Sequence, residues 1–125
     1  MRVNQVTLPA VDVAASVAFY RSMGFELIVE APHYARFKSM EGDTTFSVQK
    51  VDRILHASQT VVYFETSSLD ETVKRLQGKG LVFSHEARDE PWLWREARLT
   101  DPSGNVLCLY WAGVNRLNPP WRVGT

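Results

Sequence analysis

The chain has one cysteine, no excess of charge and no long hydrophobic run, and each shortage excludes a class of protein. Because Cys108 is the only cysteine among 125 residues, we expect no internal disulfide and a reducing, cytoplasmic setting. Fourteen basic and fourteen acidic residues balance, so no electrostatic reason favours nucleic acid or an anionic membrane as partner. We expect neither a transmembrane helix nor a signal peptide.

Strand and helix signals occur in the same order twice along the chain. The first half predicts a strand at 3–8, a helix at about 13–23, and strands at 25–30, 34–38 and 44–51. The second half predicts a strand at 60–66, a helix at about 69–77, and strands at 81–86, 94–99 and 106–111. Asp12 is the predicted N-cap of the first helix, and Ser68 with Glu71 is a predicted capping box for the second.

The two halves superpose at one constant offset, which indicates an internal repeat. The matched pairs are Val6 with Val62, Leu8 with Phe64, Asp12 with Ser68, and Gly24 with Gly80. The repeated unit is βαβββ, so we predict an α+β fold of two tandem modules. We expect one domain over 1–125, with modules at about 1–52 and 59–112, a linker at 52–58 and a tail at 113–125.

A turn near the end of the chain, Asp101-Pro102-Ser103-Gly104-Asn105, joins two predicted strands. Proline presets φ for a tight turn, and glycine and asparagine tolerate positive φ. In the strand that follows, alternation puts Leu107, Leu109 and Trp111 on one face and Val106, Cys108 and Tyr110 on the other. We expect a ligand to meet the face that carries Cys108.

Three features together resemble the vicinal-oxygen-chelate superfamily, which includes glyoxalase I, bleomycin-resistance proteins, fosfomycin-resistance enzymes and extradiol dioxygenases. They are the repeat, the run from Val11-Asp12 through Phe19-Tyr20 to Gly24-Phe25, and the turn at 101–105. The resemblance extends from Val3 to Trp111. It implies two βαβββ modules that form a U-shaped cleft, commonly completed in a homodimer.

The resemblance also implies where a metal would be held. The ligand positions of metal-using members fall on Gln5, Val61 and Cys108, with a fourth near Ser47. Valine cannot ligate a metal, and the set contains no carboxylate and no imidazole, whereas a catalytic site needs three protein ligands. We therefore predict no cofactor, with a divalent metal as the alternative. The nearest match is to the bleomycin-resistance-like members, which lack the ligand set and act by binding.

Several candidate residues permit two interpretations each. Cys108 is either a buried small hydrophobe or a reactive thiolate, and Glu65 is either a cleft carboxylate or a surface residue. Trp92 and Trp94 are either a stacking wall for a planar or cationic ligand, or core and interface residues. Trp121 either folds over the cleft or contacts a partner chain, with a disordered tail as the alternative. The three histidines, His33, His56 and His85, fall on no mapped ligand position, which favours solvated roles.

The leading hypothesis is a metal-independent small-molecule-binding protein that forms a homodimer. One alternative is a metal-dependent glyoxalase-like lyase or isomerase with a non-standard ligand set, and another is an interaction protein that uses exposed aromatic residues. No catalytic residue is predicted. The candidate ligand-binding residues are Gln5, Thr7, Ser47, Gln49, Tyr63, Glu65, Trp92, Trp94, Cys108 and Tyr110.

Overall fold

The computed structural model describes residues 1–56 and 58–124. Ala57 of the predicted linker and Thr125 of the predicted tail lie outside the described residues. The chain divides into two units, one of Met1–Gln59 with Asp101–Asn105 and one of Thr60–Thr100 with Val106–Thr125. No helix in the described part of the chain is long and apolar enough to cross a membrane.

The first unit is a four-stranded mixed sheet with one helix, in the predicted βαβββ order. Its strands lie side by side as β1-β4-β3-β2, with β1 parallel to β4 and the other pairs antiparallel. The elements are β1 (Gln5–Ala10), α1 (Val13–Ser22), β2 (Glu26–Ala31), β3 (Tyr34–Lys38) and β4 (Thr45–Lys50).

Helix α1 begins and ends where the sequence predicts. The Asp12 carboxylate accepts a hydrogen bond from the Ala15 N–H at 3.0 Å, as an N-cap should. Gly24 follows the C-cap Met23 with φ of 104°, a conformation that favours glycine. The predicted apolar stripe is buried, and its Tyr20 ring packs against Phe37 and Phe46 of the sheet. One face of this sheet is therefore covered by α1.

The Asp101–Asn105 turn groups with the first unit, where the Asp101 carboxylate organises it. One carboxylate oxygen accepts the backbone N–H groups of Ser103 and Asn105, both at 2.9 Å. The other oxygen accepts the Asn105 amide at 2.8 Å and the Tyr20 hydroxyl at 2.6 Å. The Asn105 amide also donates to the Pro9 carbonyl at 2.9 Å. Burial, and to a smaller extent the charge of the Asp101 carboxylate, raises the pKa of Tyr20. The hydroxyl therefore stays protonated and donates its hydrogen bond.

The second unit repeats the arrangement, with strand order β5-β8-β7-β6 and β5 parallel to β8. Helix α2 buries Leu69, Val73 and Leu76, the residues predicted to form its apolar stripe. The elements are β5 (Val61–Glu65), α2 (Leu69–Gly78), β6 (Arg88–Asp89), β7 (Arg95–Thr100) and β8 (Val106–Trp111), followed by a 3-10 helix at Gly113–Arg116. The two βαβββ units confirm the predicted α+β fold.

Two local predictions are wrong. The strand predicted at 81–86 is absent: only Phe83 pairs, in a single bridge with Leu99, and the short strand β6 lies later. The apolar run there is three residues long before polar residues begin, which is too little to hold a strand. The capping box is also absent, because the Ser68 side chain makes no cap hydrogen bond. Instead, the Ser68 N–H donates to the Thr66 hydroxyl at 3.2 Å.

We predict that Tyr20→Phe lowers the free energy of unfolding by about 1–3 kcal/mol, because the buried Asp101 carboxylate loses a donor that water cannot replace. Urea unfolding at neutral pH measures the change. Tyr63→Phe is the matched control, since it removes a hydroxyl from a ring that is 42% exposed. Equal and small losses in both variants would contradict a stabilising role for the Tyr20–Asp101 bond.

Candidate functional site

Alternation along the strands places most of the predicted site residues on the sheet faces turned away from the helices. In the first unit, Thr7 pairs with Ser47 across β1 and β4, and the Gln5 side chain reaches the same Ser47. In the second unit, Tyr63 pairs with Cys108 across β5 and β8. The two faces differ in chemistry, because the first is polar and the second is aromatic.

On the first sheet, buried Ser47 is the centre of a polar network. Its hydroxyl lies 2.7 Å from the Gln5 amide nitrogen and 2.6 Å from the Tyr34 hydroxyl. The Arg36 guanidinium donates to the same Tyr34 hydroxyl at 3.0 Å. The hydrogen bond with Ser47, with a smaller effect from Arg36, lowers the pKa of Tyr34. Thr45 donates to the Gln5 amide oxygen, so both ends of this amide have partners.

On the second sheet, three aromatic side chains form a cluster, which we call the aromatic face: Tyr63, Trp94 and Tyr110. The Trp94 and Tyr110 rings stack with centroids 4.6 Å apart and an interplanar angle of 18°. Tyr63 stands perpendicular to both, at 5.7 and 5.5 Å. Tyr63 is 42% exposed while Tyr110 is buried. Within the cluster, Tyr63 is therefore the ring most accessible to a ligand.

An ion pair between a buried carboxylate and a partly exposed guanidinium lies beside the aromatic face. Glu96 is 1% exposed and lies directly opposite Tyr110 across β7 and β8. The Arg98 guanidinium is 3.4 Å from one Glu96 oxygen, and it also donates to the Tyr63 hydroxyl at 3.2 Å. Burying a carboxylate costs free energy unless it is paired and hydrogen-bonded, and Arg98 offsets part of that cost for Glu96.

Trp92 reaches Glu96 from the five-residue hairpin connection between β6 and β7, residues 90–94. Its indole N–H donates to the other Glu96 oxygen at 2.6 Å. The loop is closed by the Glu90 N–H bonded to the Trp94 carbonyl and the Leu93 N–H bonded to the Glu90 carbonyl. Leu93 has φ of 67° at a loop position where glycine is usual. Such strain in a non-glycine residue costs about 1–3 kcal/mol.

Cys108 lies on the second sheet among Tyr110, Val61 and Trp94 and is fully buried. Burial, followed by the negative charge of Glu96, raises the pKa of the Cys108 thiol to about 12. A thiol in that state is a poor nucleophile and a poor metal ligand. Of the two interpretations of this residue, the geometry favours the buried small hydrophobe.

The mapped metal-ligand positions do not supply a donor set that fits a divalent metal. Val61 is apolar and packs against Cys108, whose thiol is held protonated. The Gln5 amide oxygen already accepts a hydrogen bond from Thr45. Among residues 1–56 and 58–124, no group of three His, Cys, Asp or Glu side chains is placed to hold a metal ion.

The remaining candidates lie away from the aromatic face or at its margin. Glu65 ends β5 and forms an ion pair with Arg116 at 3.7 Å, with both side chains nearly half exposed. Gln49 is exposed, and its amide donates to the carbonyl of His33 at 3.3 Å. Trp121, in the tail, is 58% exposed. The histidines are exposed or half-buried: His33, His56 and His85.

Reasoning from the sequence did not identify Glu96, Arg98, Tyr34 or Arg36. Alternation alone could have found the first two, because both lie at even spacing in β7 and face the Cys108 side of the sheet. Pairing them with Trp92 required knowledge of the loop, since Trp92 contacts Glu96 only through the turn at Leu93.

Comparison with known proteins agrees with this architecture. A family model described as Glyoxalase/Bleomycin resistance protein/Dioxygenase superfamily matches residues 2–109. No curated protein matches the sequence.

Many solved structures resemble the chain in fold. A glyoxalase/bleomycin resistance protein/dioxygenase from Nocardioides has a TM-score of 0.78 at 22% identity, covering 99% of this chain and 90% of its own. Lactoylglutathione lyase from Agrobacterium tumefaciens has a TM-score of 0.75 at 18% identity, covering 90% and 95%. A bleomycin-binding protein complexed with bleomycin has a TM-score of 0.75 at 20% identity, covering 89% and 98%. At these identities the likeness concerns the fold.

We predict that Cys108 resists alkylation in the folded protein. With a pKa of about 12, the thiolate fraction at pH 8 is on the order of one ten-thousandth, against roughly a quarter for an ordinary cysteine. Iodoacetamide labelling followed by mass spectrometry measures the rate, with the same reaction in 6 M guanidinium as control. Native labelling as fast as labelling of the unfolded chain would contradict the buried, protonated thiol.

Proposed function

We propose that this chain, which belongs to the Glyoxalase/Bleomycin resistance protein/Dioxygenase superfamily, is a metal-independent small-molecule-binding protein. Its ligand stacks on the aromatic face of the second sheet. The observation that carries the proposal is the stacked Trp94–Tyr110 pair with Tyr63 perpendicular to it, beside the ion pair of buried Glu96 with Arg98.

The aromatic face suits a planar ligand for two physical reasons. Aromatic rings gain about 0.5–1.5 kcal/mol from stacked or edge-to-face pairing beyond the burial of their area. A binding site also needs a few fixed polar groups to orient its ligand. The Arg98 guanidinium, held between Tyr63 and Glu96, and the Glu96 carboxylate supply both a donor and an acceptor within one strand.

The donor chemistry argues for binding without a metal. Of the mapped positions, Val61 has no donor atom, and Cys108 keeps its proton. Without donor atoms at these positions, the chain does not offer the ligands for a metal ion that would act as a Lewis acid. The aromatic face needs no metal to bind a ligand. A lyase or isomerase with a non-standard ligand set is the competing function, and the fold it would need is the one seen in lactoylglutathione lyase.

Self-association is a second part of the proposal. Exposed apolar residues accumulate after β8, where a partner surface would cover them. They are Val114, Leu117, Trp121 and Val123. We therefore assign ligand stacking to Trp94 and subunit contact to Trp121. Substitutions at these two residues then test ligand binding and self-association separately.

We predict that Trp94→Ala weakens binding of planar heteroaromatic fragments by about tenfold or more, because stacking on Tyr110 is lost and a core-flanking ring is removed. Saturation-transfer NMR with a fragment mixture measures binding, and light scattering measures the mass of the particle.

Trp121→Ala is the matched control, expected to retain fragment binding and to shift the mass toward the monomer. Fragment binding that is unchanged in Trp94→Ala would contradict the aromatic face as the site. Dissociation in Trp94→Ala without any wild-type fragment binding would instead support the interaction role.

A further inference from the structure

The buried Glu96 carboxylate has a hydrogen-bond donor on each of its two oxygens. An ionised carboxylate offers about four acceptor positions. The N–H donors that the described residues bring to it are Trp92 at 2.6 Å and Arg98 at a long 3.4 Å. The Cys108 thiol lies against the same carboxylate and keeps its proton. The short bond to Trp92 is therefore the strongest contact of a side chain that is 1% exposed.

The donor of that short bond, the Trp92 indole N–H, belongs to a side chain that a ligand can reach from solvent. Trp92 is 44% exposed although its N–H reaches a buried acceptor. It sits on a hairpin loop whose next residue, Leu93, is held at φ of 67°. A planar group that replaced the Trp92 indole would meet the Glu96 carboxylate, opposite Tyr110 on the neighbouring strand.

We propose that Trp92 occupies the place of the ligand in the ligand-free protein, and that Glu96 recognises a planar, neutral heteroaromatic ligand through a ring N–H donor. This inference rests on the proposed function and specifies the ligand class of the same face. The ligand N–H replaces the indole N–H on the Glu96 oxygen, and the ligand ring lies beside Tyr110.

Charge decides between a neutral ligand and an ionic one. Arg98 already offsets the charge of Glu96 and lies 3.4 Å from it, so a ligand cation would meet a like charge. A ligand anion would meet the Glu96 carboxylate itself. A neutral N–H avoids both penalties, and it reproduces the donor that Trp92 supplies now.

The test uses two probes that differ in one atom group, 2-pyridone and N-methyl-2-pyridone. Both are planar and neutral, but only 2-pyridone carries a ring N–H. Titration into ¹⁵N-labelled full-length protein gives a dissociation constant for each probe. The Trp92 indole N–H resonance, identified by its absence from the Trp92→Phe spectrum, reports whether the bond to Glu96 is replaced.

We expect 2-pyridone to bind about tenfold or more tightly than its N-methyl analogue, since only it can donate to the carboxylate. Saturation should move the Trp92 indole resonance toward that of a free indole. Trp92→Phe keeps a ring and removes the competing donor, so it should bind 2-pyridone about tenfold more tightly than wild type. Trp121→Phe should match wild type.

Glu96→Gln should reduce the preference between the two probes, because a neutral amide oxygen accepts the ring N–H more weakly than a carboxylate does. Equal affinity for both probes in wild type, an undiminished preference in Glu96→Gln, or unchanged affinity in Trp92→Phe would each overturn the inference. Because Trp92→Phe alters an exposed ring, its result stands even if Glu96→Gln fails to fold. Binding of other planar fragments at Trp94 without either pyridone would overturn this inference alone, whereas no fragment binding at all would overturn the proposed function as well.

Discussion

In each unit, one α-helix packs against a four-stranded sheet, and this arrangement decides which side chains of each strand are covered. A helix can cover only one face of its sheet, so period-two alternation divides every strand between residues that pack under the helix and residues that face the other way. In β8, Leu107 and Leu109 belong to the first group, whereas Cys108 and Tyr110 belong to the second. The second group is free to specialise without changing the fold.

The two units have specialised in different directions. On the first sheet, the face away from the helix is a closed hydrogen-bond network in which Ser47, Gln5 and Tyr34 satisfy one another. On the second sheet, the corresponding face holds stacked rings and a buried carboxylate. A network whose members are already paired has little left to offer a ligand, whereas the second face carries an exposed ring and a carboxylate whose shortest hydrogen bond comes from an exposed side chain.

The repeated fold could be predicted because its signals are local. The N-cap at Asp12, the repeated strand and helix order, and the turn at 101–105 each depend on residues close together in the sequence, and each is confirmed. The Trp92–Glu96 contact could not be predicted, because it depends on a turn in which Leu93 takes a conformation that favours glycine. The strand predicted at 81–86 is absent for a similar reason, since tertiary pairing and not the local pattern decides whether a short apolar run forms a strand. The metal positions, the homodimer and the cleft remain predictions.

The central claim is that a ligand binds the aromatic face without a metal. The most direct measurement is a calorimetric titration of a planar fragment into protein stripped with a chelator, repeated after incubation with Ni²⁺, Zn²⁺ or Mn²⁺ and desalting, with metal content determined in each sample. We expect the same dissociation constant in all samples and no stoichiometric metal retention. Binding that appears only with retained metal, and that is lost in Gln5→Ala or Cys108→Ala, would contradict it and would favour the metal-dependent lyase or isomerase.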